Sequence, residues 1–239
     1  VKAVWKNGVK VAEDGKMLTE AVTPVPVAER ILKSVHLPYI TEDQLALPLS
    51  STFVNIIEVV PHQIITKKLQ AHVDVVEGKF VPSIEKDYLK IAVFERHLQR
   101  GTKSVAIVHG LGLQAGAVAT TVAHDSHNAI VVGTNDADMA TALNTLQNMQ
   151  GGLVVVKDGE IIGKMALPVG GLMTNIDAAQ AAKQLAAVHD ALHEIHPTID
   201  FHLFLTLSFL SLPVIPALKL TDTGLFDVGQ FTHISIEVD

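Results

Sequence analysis

The sequence predicts an α+β fold with a mixed, largely antiparallel sheet or sheets and two main helices. Short segments rich in Val, Ile and Thr recur along the 239 residues and outnumber the helical segments. Several of them are joined by tight glycine-containing turns, which connect antiparallel neighbours. Only two long segments place apolar residues at helical spacing. Hairpin-linked strands with few helices favour α+β over a doubly wound fold.

Residues 1–18 predict an antiparallel hairpin. Asn7-Gly8 separates two short strand-like segments, and Asn-Gly is a strong short-range hairpin signal. A second turn is predicted at Glu13-Asp14-Gly15-Lys16.

Residues 19–49 predict a linker that wraps over a surface, because prolines interrupt them and periodicity is weak. The prolines are Pro24, Pro26, Pro38 and Pro48. One short helical turn is expected near residues 28–33.

A main α+β domain is predicted over residues 50–239. Its strands are expected at 52–60, 63–76, 88–96, 102–109, 117–123, 129–132, 153–157 and 160–167. The first main helix follows Asn135, which can cap it, and Asp136 and Asp138 add negative charge at the positive end of the helix dipole. Gly151 is expected to end this helix.

The second main helix is predicted over residues 175–195. Its core seam is expected to consist of Leu185, Val188, Leu192 and Ile195. Residues 203–218 are the most hydrophobic window, but prolines and hydroxyl residues interrupt a stretch already too short to span a bilayer comfortably. A buried core segment is predicted there.

Composition narrows the class of protein. A net charge of −7 and a pI near 5.9 argue against a nucleic-acid or anionic-membrane surface. With no cysteine, the chain has no disulfide, thiolate metal site or cysteine nucleophile. No signal peptide is recognised, so a cytoplasmic protein is expected. Val1 in place of Met predicts a fragment or a processed chain.

His124-Asp125-Ser126-His127-Asn128, here called the HDSHN turn, is the leading candidate site. Apolar runs flank it, so it is expected at a turn between two strands. Two imidazoles beside a carboxylate can perform acid–base chemistry near neutral pH, and Asn128 could hold a polar atom of a substrate. His-x-x-His could also supply two metal ligands. A polar turn that satisfies its own backbone is the alternative.

Two further groups of polar residues are weaker candidates. Glu95-Arg96-His97 follows an apolar run and could face the same cavity as the HDSHN turn, or simply mark a strand end in solvent. His189, His193 and His196 share one side of the second main helix. That spacing resembles a metal site, but imidazoles near a helix C-terminus also complement its dipole.

Four stretches resemble the C-terminal domain of bacterial adenine deaminase, an amidohydrolase-superfamily enzyme. They are LKIAVFERH (89–97), AHDSHNAIVVGTNDADM (123–139), GGLVVVKDGEI (151–161) and LTLSFLSLPVIPALKLTDTGLFDV (205–228). The opening residues 1–18 resemble the end of the small β-sandwich that accompanies the catalytic barrel in that superfamily. The resemblance runs over nearly the whole chain.

The resemblance implies hydrolytic deamination of adenine to hypoxanthine and ammonia, in purine salvage, by a full-length enzyme. It implies manganese or iron in a (β/α)8 barrel outside this chain and no metal on this chain, which lacks a His-x-His metal motif. His124, Asp125 and His127 are carried over as an active-site shell. Asn128 and, more weakly, Glu95, Arg96 and His97 are carried over as substrate-binding residues.

Adenine, the catalytic barrel and a second copy of the chain are the partners implied, without nucleic acid or membrane. Two alternatives stay open. The chain could be a structural or oligomerisation domain that supports the barrel, or a free-standing purine-binding module.

Overall fold

The structure, a computed structural model, describes residues 1–18 and 26–238. The strands are β1 (Ala3–Lys6), β2 (Val9–Glu13), β3 (Lys16–Met17), β4 (Phe53–Val59), β5 (Thr66–His72), β6 (Val75–Val76), β7 (Lys79–Phe80), β8 (Tyr88–Phe94), β9 (Lys103–His109), β10 (Ala117–Thr120), β11 (Ala129–Gly133), β12 (Gly152–Lys157), β13 (Glu160–Ala166), β14 (Leu218–Thr221), β15 (Gly224–Asp227) and β16 (Thr232–His233). The α-helices are α1 (Glu29–Leu32), α2 (Asp136–Asn148), α3 (Ala178–Ile195) and α4 (Leu203–Phe209), and Glu42–Leu45 forms a 3-10 helix.

An eight-stranded sheet forms the centre of the fold, in the order β13-β12-β10-β11-β8-β9-β4-β5. Its neighbours pair antiparallel except β4 and β9, which pair in parallel at Ile57↔Val108 and Glu58↔His109. Strands β1–β3 and β14–β16 form two small sheets, and β6 pairs with β7. The predicted α+β class with a largely antiparallel sheet is confirmed.

Both faces of the large sheet are buried. Side chains alternate along its strands, so neighbouring residues enter cores on opposite faces. Ile91 and Val93 of β8 enter one apolar cluster, whereas Ala92 and Phe94 enter another on the opposite face. The first cluster also contains apolar side chains of α3, α4 and β14, and the second contains those of α2. Helices therefore cover the sheet on both sides.

Helix α2 begins and ends as the sequence predicts. The Asn135 side chain caps it by accepting a hydrogen bond from the Asp138 N–H at 2.8 Å. Gly151, with a φ of +98°, donates from its N–H to the Leu146 carbonyl and turns the chain into β12.

The predicted hairpins are also found. Asn7 and Gly8 have φ of +50° and +76°, values suited to a two-residue hairpin turn, and Asp158-Gly159 turns β12 into β13 in the same way. Membership of β1–β3 in a larger β-sandwich stays a prediction.

The proline-rich segment contributes more to the core than a surface linker would. Its predicted helical turn is found as α1, but Val35, Leu37, Ile40 and Leu45 are all buried in the cluster beside α2. The Asn144 side chain of α2 fixes this segment by bonding both the N–H and the carbonyl of Ile40. Residues 19–25 of the predicted linker lie outside the described part of the chain.

Two details of the prediction are wrong, and one helix was not predicted. The strand expected over 63–76 ends at His72, and β6 belongs to a separate two-stranded sheet. Leu185 is 38% exposed because the buried side chains of α3 are found only from Val188 onwards. The apolar window 203–218 is buried at Leu203, Leu207 and Leu210, as expected, but it contains the unpredicted helix α4.

The last described residues close against β4. The N–H of Asn55 donates to the Ile236 carbonyl, and that of Val238 donates to the Phe53 carbonyl. The Glu237 carboxylate accepts from the backbone N–H groups of Ser50 and Ser51. None of the helices in residues 1–18 and 26–238 has the length and apolar character needed to cross a membrane.

Candidate functional site

The HDSHN turn connects β10 to β11, two interior strands of the large sheet. Every residue of both strands is buried, so the turn rises from a rigid support. Its side chains differ in exposure: Asp125 is 86% exposed at its side chain, His124 is 36% exposed, and Asn128 is buried. The predicted position of the turn between two strands is confirmed.

The C-terminal motif, residues 205–228, packs directly on the HDSHN turn. The His124 ring stacks on Phe209 with a centroid separation of 4.7 Å, and the His124 N–H donates to the Ser208 carbonyl at 2.8 Å. The Ser211 hydroxyl donates to the His124 carbonyl at 3.2 Å. Helix α4 and Ser211, two residues beyond its end, thus fix the first histidine of the turn.

Asp222, in the connection between β14 and β15, holds the other end of the turn. Its Oδ1 accepts from Asn128 Nδ2 at 3.2 Å, and its Oδ2 accepts from Thr102 Oγ1 at 2.6 Å. The carboxylate therefore joins the HDSHN turn to the approach to β9.

Arg96 supports the same turn from below the surface. Its side chain is among the largest that are fully buried, and its guanidinium donates to the carbonyls of His127, Ser34 and Gly170. Gly171 leaves the room this requires, since a Cβ there would lie 2.8 Å from Arg96 Nη1. Burial lowers the pKa of Arg96 to about 10, which leaves it charged at neutral pH.

Glu95 and His97 differ in their relation to the HDSHN turn. The Nε2 of His97 is 2.7 Å from the Ser126 carbonyl. The Glu95 carboxylate instead accepts from the backbone N–H groups of His97, Leu98 and Arg100, which organises its own loop. The structure thus brings Arg96 and His97 to the turn, whereas substrate binding by Glu95, Arg96 and His97 stays a prediction.

The electrostatics of the turn favour a neutral His127. Burial lowers the pKa of His127 below its ordinary value, and the nearby His124 and Arg96 lower it further, against an opposing effect of Asp125. The rings of His124 and His127 have centroids 5.8 Å apart. A neutral imidazole at pH 7 can accept a proton, so this pair suits general acid–base chemistry.

Two buried polar atoms of the turn, His127 Nδ1 and Asn128 Oδ1, find no hydrogen-bond partner among the described residues. Buried polar atoms are usually paired, and leaving one unpaired is unfavourable. Two of the five such atoms among the described residues therefore lie in the HDSHN turn, which supports it as the leading candidate site.

The three histidines predicted to share one side of the second main helix do not form a metal site among the described residues, and His196 is the residue that follows α3. His196 is buried against the glycine position Gly112, whereas His189 and His193 line a cleft of about 530 Å³ between α3 and α4. Within residues 1–18 and 26–238, no group of three or more metal-ligating side chains is placed to hold an ion. The described residues therefore do not fit a metal centre, and no chemistry of the turn is assigned to one.

Sequence reasoning missed the residues that hold the turn from elsewhere in the chain. Asp222, Phe209 and Ser211 contact it across long stretches of sequence, and Thr102 in turn bonds Asp222. Asp222 sits in Thr221-Asp222-Thr223-Gly224, which reads locally as an ordinary turn. The presence of the 205–228 motif beside the HDSHN motif in the resemblance was the one signal that could have joined them.

Comparison with known proteins shows which proteins this chain is similar to. A family model described as "Adenine deaminase C-terminal domain" matches residues 63–232. A protein named adenine deaminase from Lysinibacillus sphaericus strain C3-41 is 59% identical over 237 residues, covering 99% of this chain and 41% of its own length. Proteins of that name from Halalkalibacterium halodurans and Bacillus subtilis strain 168 are 46% and 44% identical, covering 98% and 97% of this chain. The chain spans about two-fifths of the length of these curated relatives.

Proposed function

We propose that this chain, which belongs to the adenine deaminase C-terminal domain family, is the C-terminal part of an enzyme that hydrolyses adenine to hypoxanthine and ammonia. Relatives named adenine deaminase match nearly the whole of this chain, which supports the proposal. The reaction consumes one water and releases one ammonia.

The observation that carries the proposal is the meeting of the two longest motifs. Residues 123–139 and 205–228 lie far apart in the sequence, yet Phe209, Ser211 and Asp222 all contact the HDSHN turn. A turn that needed only to reverse the chain between β10 and β11 would require no such support from a second segment.

At this site His124 and His127 are proposed to move protons. Deamination of a purine ring delivers a proton to a ring nitrogen and another to the departing ammonia. A neutral His127 can accept and return a proton, while the exposed Asp125 carboxylate, 4.0 Å from His124 Nδ1, can stabilise a charged His124. The turn is proposed to line or cover the active site and to exclude bulk water from it.

The remaining components are proposed to lie outside this chain. As the resemblance implies, a manganese or iron centre and its catalytic barrel are proposed for the rest of the full-length protein. Self-association and a cytoplasmic role in purine salvage complete the proposal.

The test uses full-length enzyme with His124→Ala, Asp125→Ala and His127→Ala. Removing a positioned acid or base lowers turnover roughly 100- to 10,000-fold. Removing a polar turn residue costs about 1 kcal/mol of stability and leaves turnover near normal. Turnover with adenine and melting temperature are measured for each variant, with the exposed His189→Ala as control. Near-normal turnover in all three would refute a catalytic turn.

One observation favours the alternative of a structural support. Several contacts of the turn are made by its backbone, including the carbonyls of Ser126 and His127. Under that alternative the melting temperatures of the same three variants fall while their turnover stays near normal. One set of measurements therefore separates the two functions.

A further inference from the structure

We propose that Asp222 is a positioning residue for the His127 imidazole of the HDSHN turn, acting through the buried side-chain amide of Asn128. The inference rests on the proposed function, because it concerns how that turn is held for its chemistry. It also gives Asn128 a supporting role in place of the predicted contact with substrate.

The chemistry of the carboxylate fixes the direction of the amide. An ionised carboxylate offers hydrogen-bond acceptors only. Asn128 must therefore turn Nδ2 toward Asp222 Oδ1, at 3.2 Å, and direct Oδ1 away from it. The amide keeps this orientation although its Oδ1 is left buried without a partner among the described residues. The bond to Asp222 thus decides how the side chain sits.

Asp222 is itself held in place. Its second oxygen accepts from the Thr102 hydroxyl at 2.6 Å, just before β9 begins. Its own segment is fixed by the pairing of β14 with β15, in which Thr221 lies opposite Gly224. A carboxylate anchored in this way can transmit a fixed position to Asn128, because neither of its oxygens is free to turn.

His127 is affected because hydrogen bonds hold both its own carbonyl and the side chain of the residue that follows it. Arg96 holds the His127 carbonyl, and Asp222 holds the side chain of the next residue, Asn128. The backbone on the C-terminal side of the His127 ring is therefore fixed at two successive points. Loss of the Asp222 bond frees one of them and lets the imidazole move away from the position its proton transfer requires.

The experiment compares Asp222→Leu with Asp222→Asn in the full-length enzyme. Leu removes both acceptors, whereas Asn can still accept from Asn128 Nδ2 and donate to Thr102 Oγ1. We expect Asp222→Leu to lower kcat about 10- to 100-fold with little change in KM, the scale of a misplaced reacting group. Asp222→Asn is expected to retain kcat within about threefold, far less than the loss from misplacement. The matched control is Asp158→Asn, an exposed carboxylate in the β12–β13 turn.

A double-mutant cycle separates positioning from general damage. In a His127→Ala background, Asp222→Leu should lower kcat no further, since the ring it positions is gone. Should Asp222→Leu fail to fold, Asn128→Leu replaces it, because this change removes the same bond from the other side.

The inference is overturned if Asp222→Leu keeps the kcat of Asp158→Asn, or if it lowers kcat equally with and without His127. If His127→Ala alone keeps normal turnover, this inference fails, whereas the proposed catalytic turn fails only if His124→Ala and Asp125→Ala keep it as well. If His127→Ala is impaired but shows no coupling to Asp222, only the positioning role is lost.

Discussion

The Arg96 guanidinium lies beneath the HDSHN turn and donates its Nε–H to the His127 carbonyl. The same buried cation bonds the Ser34 and Gly170 carbonyls, so one side chain joins three segments that are distant in sequence. Charged hydrogen bonds to several carbonyls hold a guanidinium in one geometry, which makes Arg96 a centre of stability as well as an electrostatic neighbour of His127.

Replacing Arg96 should therefore destabilise the chain strongly. Arg96→Met leaves three carbonyls without their donor, and each buried unpaired group costs about 1 kcal/mol or more. We expect a loss of roughly 3 kcal/mol in the free energy of unfolding, measured by urea denaturation. The matched control is Arg100→Met, an exposed arginine in the adjacent loop, which should change stability little. Equal losses in the two variants would contradict this assignment.

Acidification should destabilise the fold through His127. Its folded pKa lies below the ordinary value of about 6.5, so the unfolded chain binds a proton that the folded chain resists. Its contribution to stability is therefore intact above pH 6.5 and is lost as the pH falls through the folded pKa. His196, whose pKa burial also lowers, acts in the same direction.

The check compares melting temperatures at pH 7.5 and 5.5. His127→Gln should reduce the fall seen in the unmodified chain, whereas the exposed His189→Gln should leave it unchanged. A fall of the same size in all three proteins would show that His127 does not contribute.

Lys219 should make stability rise at alkaline pH. Its side chain is fully buried, its Nζ donates to the Ile64 carbonyl at 2.9 Å, and burial lowers its pKa to about 8 from 10.5. Between pH 8 and 10.5 the unfolded chain retains a proton that the folded chain has lost, so raising the pH relieves an unfavourable buried charge.

Lys219→Met should remove this pH dependence and raise stability at pH 7. Removing the buried charge should raise the free energy of unfolding by about 3 kcal/mol at most. The Ile64 carbonyl left without its donor lowers that gain by about 1 kcal/mol. Denaturation of the variant and of the exposed Lys164→Met control across pH 7–10 measures the difference. A variant that follows the same pH curve as the control would disprove the effect.

The chain by itself should not turn over adenine at an enzymatic rate. The described residues provide no cluster able to hold a metal ion, and the proposed reaction places that centre elsewhere in the full-length protein. Purified chain with added manganese is incubated with saturating adenine and hypoxanthine is followed. Turnover of about 1 per second or more would contradict the proposal.

Local chemistry explains which parts of the fold the sequence could predict. Asn7-Gly8, Asp158-Gly159 and the Asn135 cap depend on a few adjacent residues, and each was located correctly. Helix α4 was missed because a short apolar run reads alike as strand or buried helix. Leu185 was misplaced because helical periodicity identifies a face but not how far along the helix that face is covered.

The residues of the candidate site also differ in whether the local sequence could predict them. The HDSHN turn was predicted from its own residues and their apolar flanks. Asp222 was not, because its bond to Asn128 spans 94 positions and leaves no local trace. The role of Arg96 also escaped prediction, since a charged residue at a strand end usually points to solvent rather than to three buried carbonyls.

The closure of residues 236–238 onto β4 bears on the order in which the molecule assembles. Strands β8 to β13 pair mainly with close neighbours in sequence, whereas Asn55 and Ile236 must meet across almost the entire domain. Contacts between remote segments carry a larger loop-closure entropy and slow folding. We therefore expect the β8–β13 block to condense first and the final segment to dock last. Pulsed hydrogen exchange during refolding would show this as protection of the Val131 amide before that of Asn55.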